Sequence, residues 1–177
     1  MKAATIFVLM GLALFAMAED KKTKAKSVEL EFTVKPTKSS FRENEPIEVR
    51  FGIRNLSSTK VVVAKTFQLT QFVDLEIVDE QGRRAAWCGR ISGQIESRRP
   101  YGVLNANESF FAKVAISCVH KEKPAEAWGY SFGQPGRYVI RAVYRLPEPL
   151  AIYKKMFPDI PIVRGPIPAT AITIEIK

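Results

Sequence analysis

Between Val28 and Lys35 the chain alternates: Val28, Leu30, Phe32 and Val34 face one way, and Glu29, Glu31, Thr33 and Lys35 the other. A period of two is the pattern of a half-buried strand. Pro36 closes this run, and Asn44-Glu45-Pro46 makes a turn. Ile47, Val49, Phe51 and Ile53 then alternate with Glu48, Arg50 and Arg54, up to a polar turn over Asn55–Ser58. The β-branched run from Lys60 to Ala64 suits a strand buried on both faces. Val73, Leu75 and Ile77 alternate again. Asp79-Glu80-Gln81-Gly82 is a hairpin signal in which Gly supplies a positive φ, with Arg83 to Cys88 as the returning strand.

Residues 89–107 predict a long loop, followed by a strand from Ser109 to Val119. Gln134-Pro135-Gly136 forms a turn, after which Tyr138, Ile140, Ala142 and Tyr144 alternate with Arg137, Val139, Arg141 and Val143. A second long loop spans 147–168, and Ile172, Ile174 and Ile176 close the chain. The one short stripe at helical spacing is Leu150, Tyr153 and Phe157. Eight or nine short strands punctuated by turns predict an all-β, immunoglobulin-like antiparallel β-sandwich. Tyr138, just after a Pro-Gly turn, stands where a tyrosine corner would tie its hydroxyl back to the backbone.

The N-terminus changes the compartment. Lys2, an uncharged apolar stretch from Ala3 to Phe15, and Ala16-Met17-Ala18 read as a signal peptide over residues 1–18. Residues 19–26, with Lys21, Lys22, Lys24 and Lys26, read as a disordered basic leader before a single domain over 27–177. No later segment is apolar for long enough to span a bilayer. The expected location is secreted or periplasmic. The formal charge of +9 would draw such a surface towards polyanions.

In an oxidising compartment Cys88 and Cys118 are expected to form a disulfide. A zinc site of Cys88, Cys118 and His120 would lack a fourth ligand and fits no standard spacing. His120 is the only imidazole, set in the charged run Cys118-Val119-His120-Lys121-Glu122-Lys123. The chain has no G-x-S-x-G, no H-E-x-x-H and no glycine-rich phosphate loop. The expectation is a protein without catalytic or metal residues and without a cofactor.

The segments Ile47 to Asn55, Val61 to Ala64, Phe72 to Gly82, Trp87-Cys88-Gly89, Leu104 to Ser109 and Gly136 to Tyr144 carry a family resemblance. Their order is similar to the β-sandwich domain that precedes the catalytic domain of deuterolysin-type metalloproteases. The similarity covers roughly residues 45–145 and implies a freestanding accessory-type domain. The protease's paired zinc histidines have no counterpart here, so its activity is not implied.

Binding is the remaining function class, and in sandwiches it usually sits on loops held by rigid sheets. Loop 89–107 carries Arg90, Arg98, Arg99 and Tyr101, rooted at the expected disulfide; its arginines suit carboxylate or phosphate. Loop 147–168 holds six prolines and the cluster Tyr153, Lys154, Lys155, Met156 and Phe157. It would serve either as a semi-rigid binding flap or as a cover for an open sheet edge. The expected partner is a protein or an anionic envelope component. Nucleic acid is not expected, because aromatic and basic residues do not interleave along one strand face. A protease inhibitor of small β-sandwich type is the second reading. Asn55-Leu56-Ser57 and Asn107-Glu108-Ser109 match the N-glycosylation acceptor pattern.

Overall fold

Each alternating run becomes a strand in a computed structural model that describes residues 28–43, 45–88, 101–118, 129–146, 151–163 and 165–177. The expected signal peptide and leader lie outside the described residues, as do Arg90, Arg98, Arg99 and His120. The first layer is a three-stranded front sheet in the order β1 (Leu30–Pro36), β3 (Glu48–Asn55), β8 (Ser109–Ala115), antiparallel throughout. The back sheet is built around β10 (Gly136–Tyr144). One edge of β10 pairs with β5 (Val73–Asp79), the other with β12 (Ile172–Ile176) and the short β11 (Ile167–Pro168). β2 (Ser40–Phe41) joins β12 in parallel, an exception to the antiparallel rule. Two small ladders complete the body: β4 (Val61–Ala64) with β7 (Tyr101–Leu104), and β6 (Ala86–Trp87) with β9 (Tyr130–Ser131). The fold is an all-β sandwich. α1 (Ala151–Met156) is the only helix among the described residues, and no helix there is long and apolar enough to cross a membrane.

The inward side chains of the two layers meet in one aromatic core. Phe32 and Phe51 of the front sheet stack at 5.8 Å, and Phe32 lies 5.5 Å from Tyr144 of the back sheet. Phe67 fills the space between them, 5.6 Å from Phe51 and 6.1 Å from Tyr144. All four are buried, as are all four residues of β4.

Two expectations change, and the edge-cover alternative for 147–168 gains an observation. Tyr101, placed in the loop 89–107, instead begins β7, because Tyr101 to Leu104 supply the partner that apolar β4 needs. The strand expected from Arg83 to Cys88 makes a single bridge to β5, Val78 to Arg84, before Ala86 and Trp87 turn to β9. Within 147–168, the described part covers an edge. Val62 of β4 donates to the Pro161 carbonyl at 2.9 Å and accepts from the Val163 amide at 3.3 Å.

The Cys88–Cys118 disulfide joins the end of β6 to the segment after β8, with Cα atoms 6.6 Å apart. β9 threads between them: Cys88 N–H bonds Gly129 O, and Cys118 N–H bonds Tyr130 O, each at 3.0 Å. Gly129 has φ of +135°, and a Cβ there would stand 2.6 Å from Ile116 O, so only glycine fits.

Candidate functional site: the outer face of the front sheet

Register decides which polar side chains become neighbours on a sheet. On the outer face of the front sheet Lys35 stands opposite Arg50, and Arg50 opposite Lys113. Three cations from three strands thus form one row across the sheet, with neighbouring strands about 4.8 Å apart. Like charges placed directly opposite destabilise a sheet. At ~6 Å in water each neighbouring pair costs about 0.7 kcal/mol. All three are exposed, and among the described residues none of them forms an ion pair.

The row beside it explains how the middle cation is held. Thr33, Gly52 and Phe111 are in register there. Glycine inside a central strand weakens it unless something must approach the backbone closely. Here that something is the Phe111 ring. A Cβ on Gly52 would lie 2.5 Å from two Phe111 ring carbons and 2.7 Å from Thr33 Oγ1. With Gly52 making room, Phe111 lies over the strand while remaining 46% exposed. The Arg50 guanidinium stacks on that ring, its carbon 4.3 Å from the centroid. Such a contact is worth about 0.5–1 kcal/mol at an exposed site, and it holds the five-donor guanidinium fork in one orientation. The next row pairs Glu31 with Arg54, opposite charges in register. On the other side Glu48 stands opposite Ala115.

The back sheet's outer face is chemically the reverse. Glu76 bridges Arg84 at 2.7 Å and Arg141 at 3.1 Å, while Asp74 holds Arg145 at 2.5 Å. Glu175 stands opposite Arg137 and pairs with Lys177 at 3.5 Å. Cations on that face are ion-paired with carboxylates; among the described residues the Lys35–Arg50–Lys113 row forms no ion pair, though Glu48 borders it.

Two grooves flank these faces. One of about 560 Å³ runs between the free edge of β1 and the β11–β12 segment, lined by Phe32, Val34, Leu56, Ile167 and Ile172 among others. A smaller one, about 150 Å³, lies near Cys118, with Arg42, Glu45 and Ser117 in its wall. In the latter region the Lys38 ammonium and the Arg42 amide both bond Glu45 and hold its carboxyl below the usual range. Among the described residues no group of three or more His, Cys, Asp or Glu could hold a metal ion.

The residues singled out from sequence fall in several places. Tyr101 and Tyr153 are buried with their rings 4.4 Å apart, and burial pushes the Tyr101 hydroxyl up, helped by Tyr153. Phe157 is half-buried against the core, and Lys154 and Lys155 are exposed on α1. The Tyr138 hydroxyl donates to Gln134 O at 2.6 Å and accepts from Gln134 N–H at 3.2 Å, tying the turn to its strand. Asn107 is exposed, with φ of +62°.

Asn55, the other match to the acceptor pattern, is placed quite differently. Its side chain is wholly buried. Its amide donates to the carbonyls of Thr59 at 2.7 Å, Leu104 at 3.2 Å and Asn105 at 2.9 Å. Its oxygen accepts from the Ser57 amide at 3.0 Å and from the Ser57 hydroxyl. It is an internal tie and has no room for a glycan. The front-sheet row was missed as a site because its members are far apart in sequence. The available signal was an unexplained glycine, Gly52, in the middle of a strand pattern.

No family model matches the chain, and no curated protein does. Among solved structures, the CARDB domain of the PF1109 protein from Pyrococcus furiosus, solved in complex with di-metal ions, is similar at 11% identity. The alignment covers 85% of this chain and 94% of that chain, with a TM-score of 0.39. None of these comparisons links the chain to deuterolysin-type metalloproteases, and the fold stands on its own strands and register.

Proposed function

We propose that the protein is an exported, non-catalytic β-sandwich module that binds an anionic partner through the outer face of its front sheet. The observation that carries the reading is the unpaired row Lys35–Arg50–Lys113, with Arg50 held on Phe111. Export is supported by the signal-like N-terminus and by the disulfide, a bond that persists in oxidising compartments. An oxyanion placed on the row relieves the mutual repulsion of three cations and meets a guanidinium already oriented for bidentate bonding.

The test compares variants of equal charge. Lys35→Ala/Arg50→Ala/Lys113→Ala and Arg84→Ala/Arg141→Ala/Arg145→Ala each remove three cations, the second set from the ion-paired back face. On an immobilised polyanion the front-sheet variant should elute at clearly lower salt than the wild type, and the back-sheet variant close to it. Equal shifts would reduce the effect to net charge and remove the site. Arg90→Ala/Arg98→Ala/Arg99→Ala is the third arm; loss of retention there alone would move the site to the loop after Cys88.

A further inference from the structure

We infer that the partner of this face is a linear acidic polysaccharide, laid across the strands along Lys35, Arg50 and Lys113 with its carboxylate or sulfate groups on the three cations. This deepens the proposed function and rests on it.

Shape comes first. Arg50 and Lys113 lie on an open sheet surface and line neither groove described above, while Lys35 and Thr33 stand at the rim where the row meets the larger groove. A compact ligand needs a concave site to bury most of its surface. A flat face gains affinity by adding weak contacts along an extended ligand, each new contact made at high effective concentration.

Charge pattern then separates a line from a plane. The row without carboxylate partners is one residue wide. Glu48 borders it on one side; on the other an uncharged row, Thr33–Gly52–Phe111, separates it from the Glu31–Arg54 pair. An anionic lipid surface would press against Glu48 and Glu31 together with the cations. A single polymer strand following the row avoids both.

Spacing and the neutral row favour sugar. Adjacent positions in the row are about 4.8 Å apart, close to the length of one pyranose unit, so successive charged residues can meet successive strands. The Thr33 hydroxyl and the exposed part of Phe111 offer one hydrogen-bonding group and one apolar patch beside that path. Nucleic-acid strands are held by bases stacked on open aromatic faces. One face of the Phe111 ring is already occupied by the Arg50 guanidinium.

The experiment uses the full folded chain and four probes: galacturonate oligomers of one to eight units, sulfated oligosaccharides of matching length, mixed phosphatidylglycerol–phosphatidylcholine vesicles, and an oligothymidylate. Affinity should rise with oligosaccharide length to about three or four charged units and then level, since three cations set the row. Arg50→Lys keeps the charge and the fold but loses the planar fork, and should weaken binding by about three- to tenfold. Phe111→Ala should do the same with net charge unchanged. Equal affinity for one unit and eight, or tighter binding to vesicles or oligothymidylate, overturns the polysaccharide inference. In that case a Lys35→Ala/Arg50→Ala/Lys113→Ala variant that still abolishes binding to the preferred probe leaves the anion-binding face standing. If that variant binds every probe as the wild type does, both readings fall.

Discussion

Replacing Tyr144 with Phe removes one oxygen from the middle of the molecule, and its cost follows from what that oxygen holds. Tyr144 ends the central back-sheet strand and is fully buried. Its hydroxyl accepts from the Ala64 amide at 2.9 Å and donates to the Ala64 carbonyl at 2.8 Å. Ala64 ends β4, whose other edge is already paired with β7, so at Ala64 the phenol continues the edge that residues 161–163 cover at Val62. In Tyr144→Phe the ring keeps its contacts with Phe32 and Phe67, but two buried backbone groups lose their partner. Each such group costs about 1–3 kcal/mol. Recovering the hydroxyl's own desolvation offsets part of this, leaving a net loss of about 2–4 kcal/mol. For a chain of this size that lowers Tm by roughly 5–12 °C. Urea unfolding followed by circular dichroism reads it as a lower midpoint at unchanged m. Tyr138→Phe is the control: its hydroxyl bonds the exposed Gln134 backbone, which water can satisfy instead, so the loss should stay below about 1 kcal/mol. A Tyr144→Phe loss under about 0.5 kcal/mol, or equal losses for the two variants, would refute the claim that burial sets the cost.

The same burial pushes the Tyr144 hydroxyl well above its ordinary range, with the bond to the Ala64 carbonyl working the other way. Its stabilising effect is therefore complete below about pH 10, where an unfolded tyrosine begins to ionise, and is lost as pH rises further. Urea titrations from pH 9 to 12 should show stability falling by up to about 1.4 kcal/mol per unit from this group, and Tyr144→Phe should lack that component. Asn55→Ala should cost about 2–4 kcal/mol, because the buried Leu104 carbonyl and the Ser57 amide lose their partner; a neutral result in the same assay would contradict the internal-tie role. Cys88→Ser/Cys118→Ser opens a closure of 30 residues, and should lower stability by about 3–4 kcal/mol on the chain-entropy model. Dithiothreitol acting on the wild type should reproduce that loss, and no change on reduction would count against it.

What sequence could and could not reveal follows from the range of each interaction. β1, β3, β5, β10 and β12 were legible because alternation is local: every second residue of Phe32–Val34 or Tyr138–Tyr144 is buried whatever its neighbours are. β7 was not, since Tyr101-Gly102-Val103-Leu104 is too short to alternate and is a strand only because β4 lies beside it. β2 is two residues long and exists through its parallel pairing with β12. The helical spacing of Tyr153 and Phe157 did mark α1. The front-sheet row needed two registers at once. Lys35, Arg50 and Lys113 are ordinary exposed positions until β1, β3 and β8 are aligned, and a one-residue slip in either pairing would dissolve the row. Gly52 was visible, but the reason for it lies on β8.

A body with ion-paired arginines on one broad side and a row of cations outside any ion pair on the other presents two chemically different sides. A negatively charged matrix is felt only over the last ~8 Å at physiological salt, so contact chemistry chooses the side that meets it. On the proposed reading the β1–β3–β8 side makes that contact, with β5 and β10 facing outward. Any further partner that reads this protein once it is seated would meet the side built on Glu76, Arg84 and Arg141.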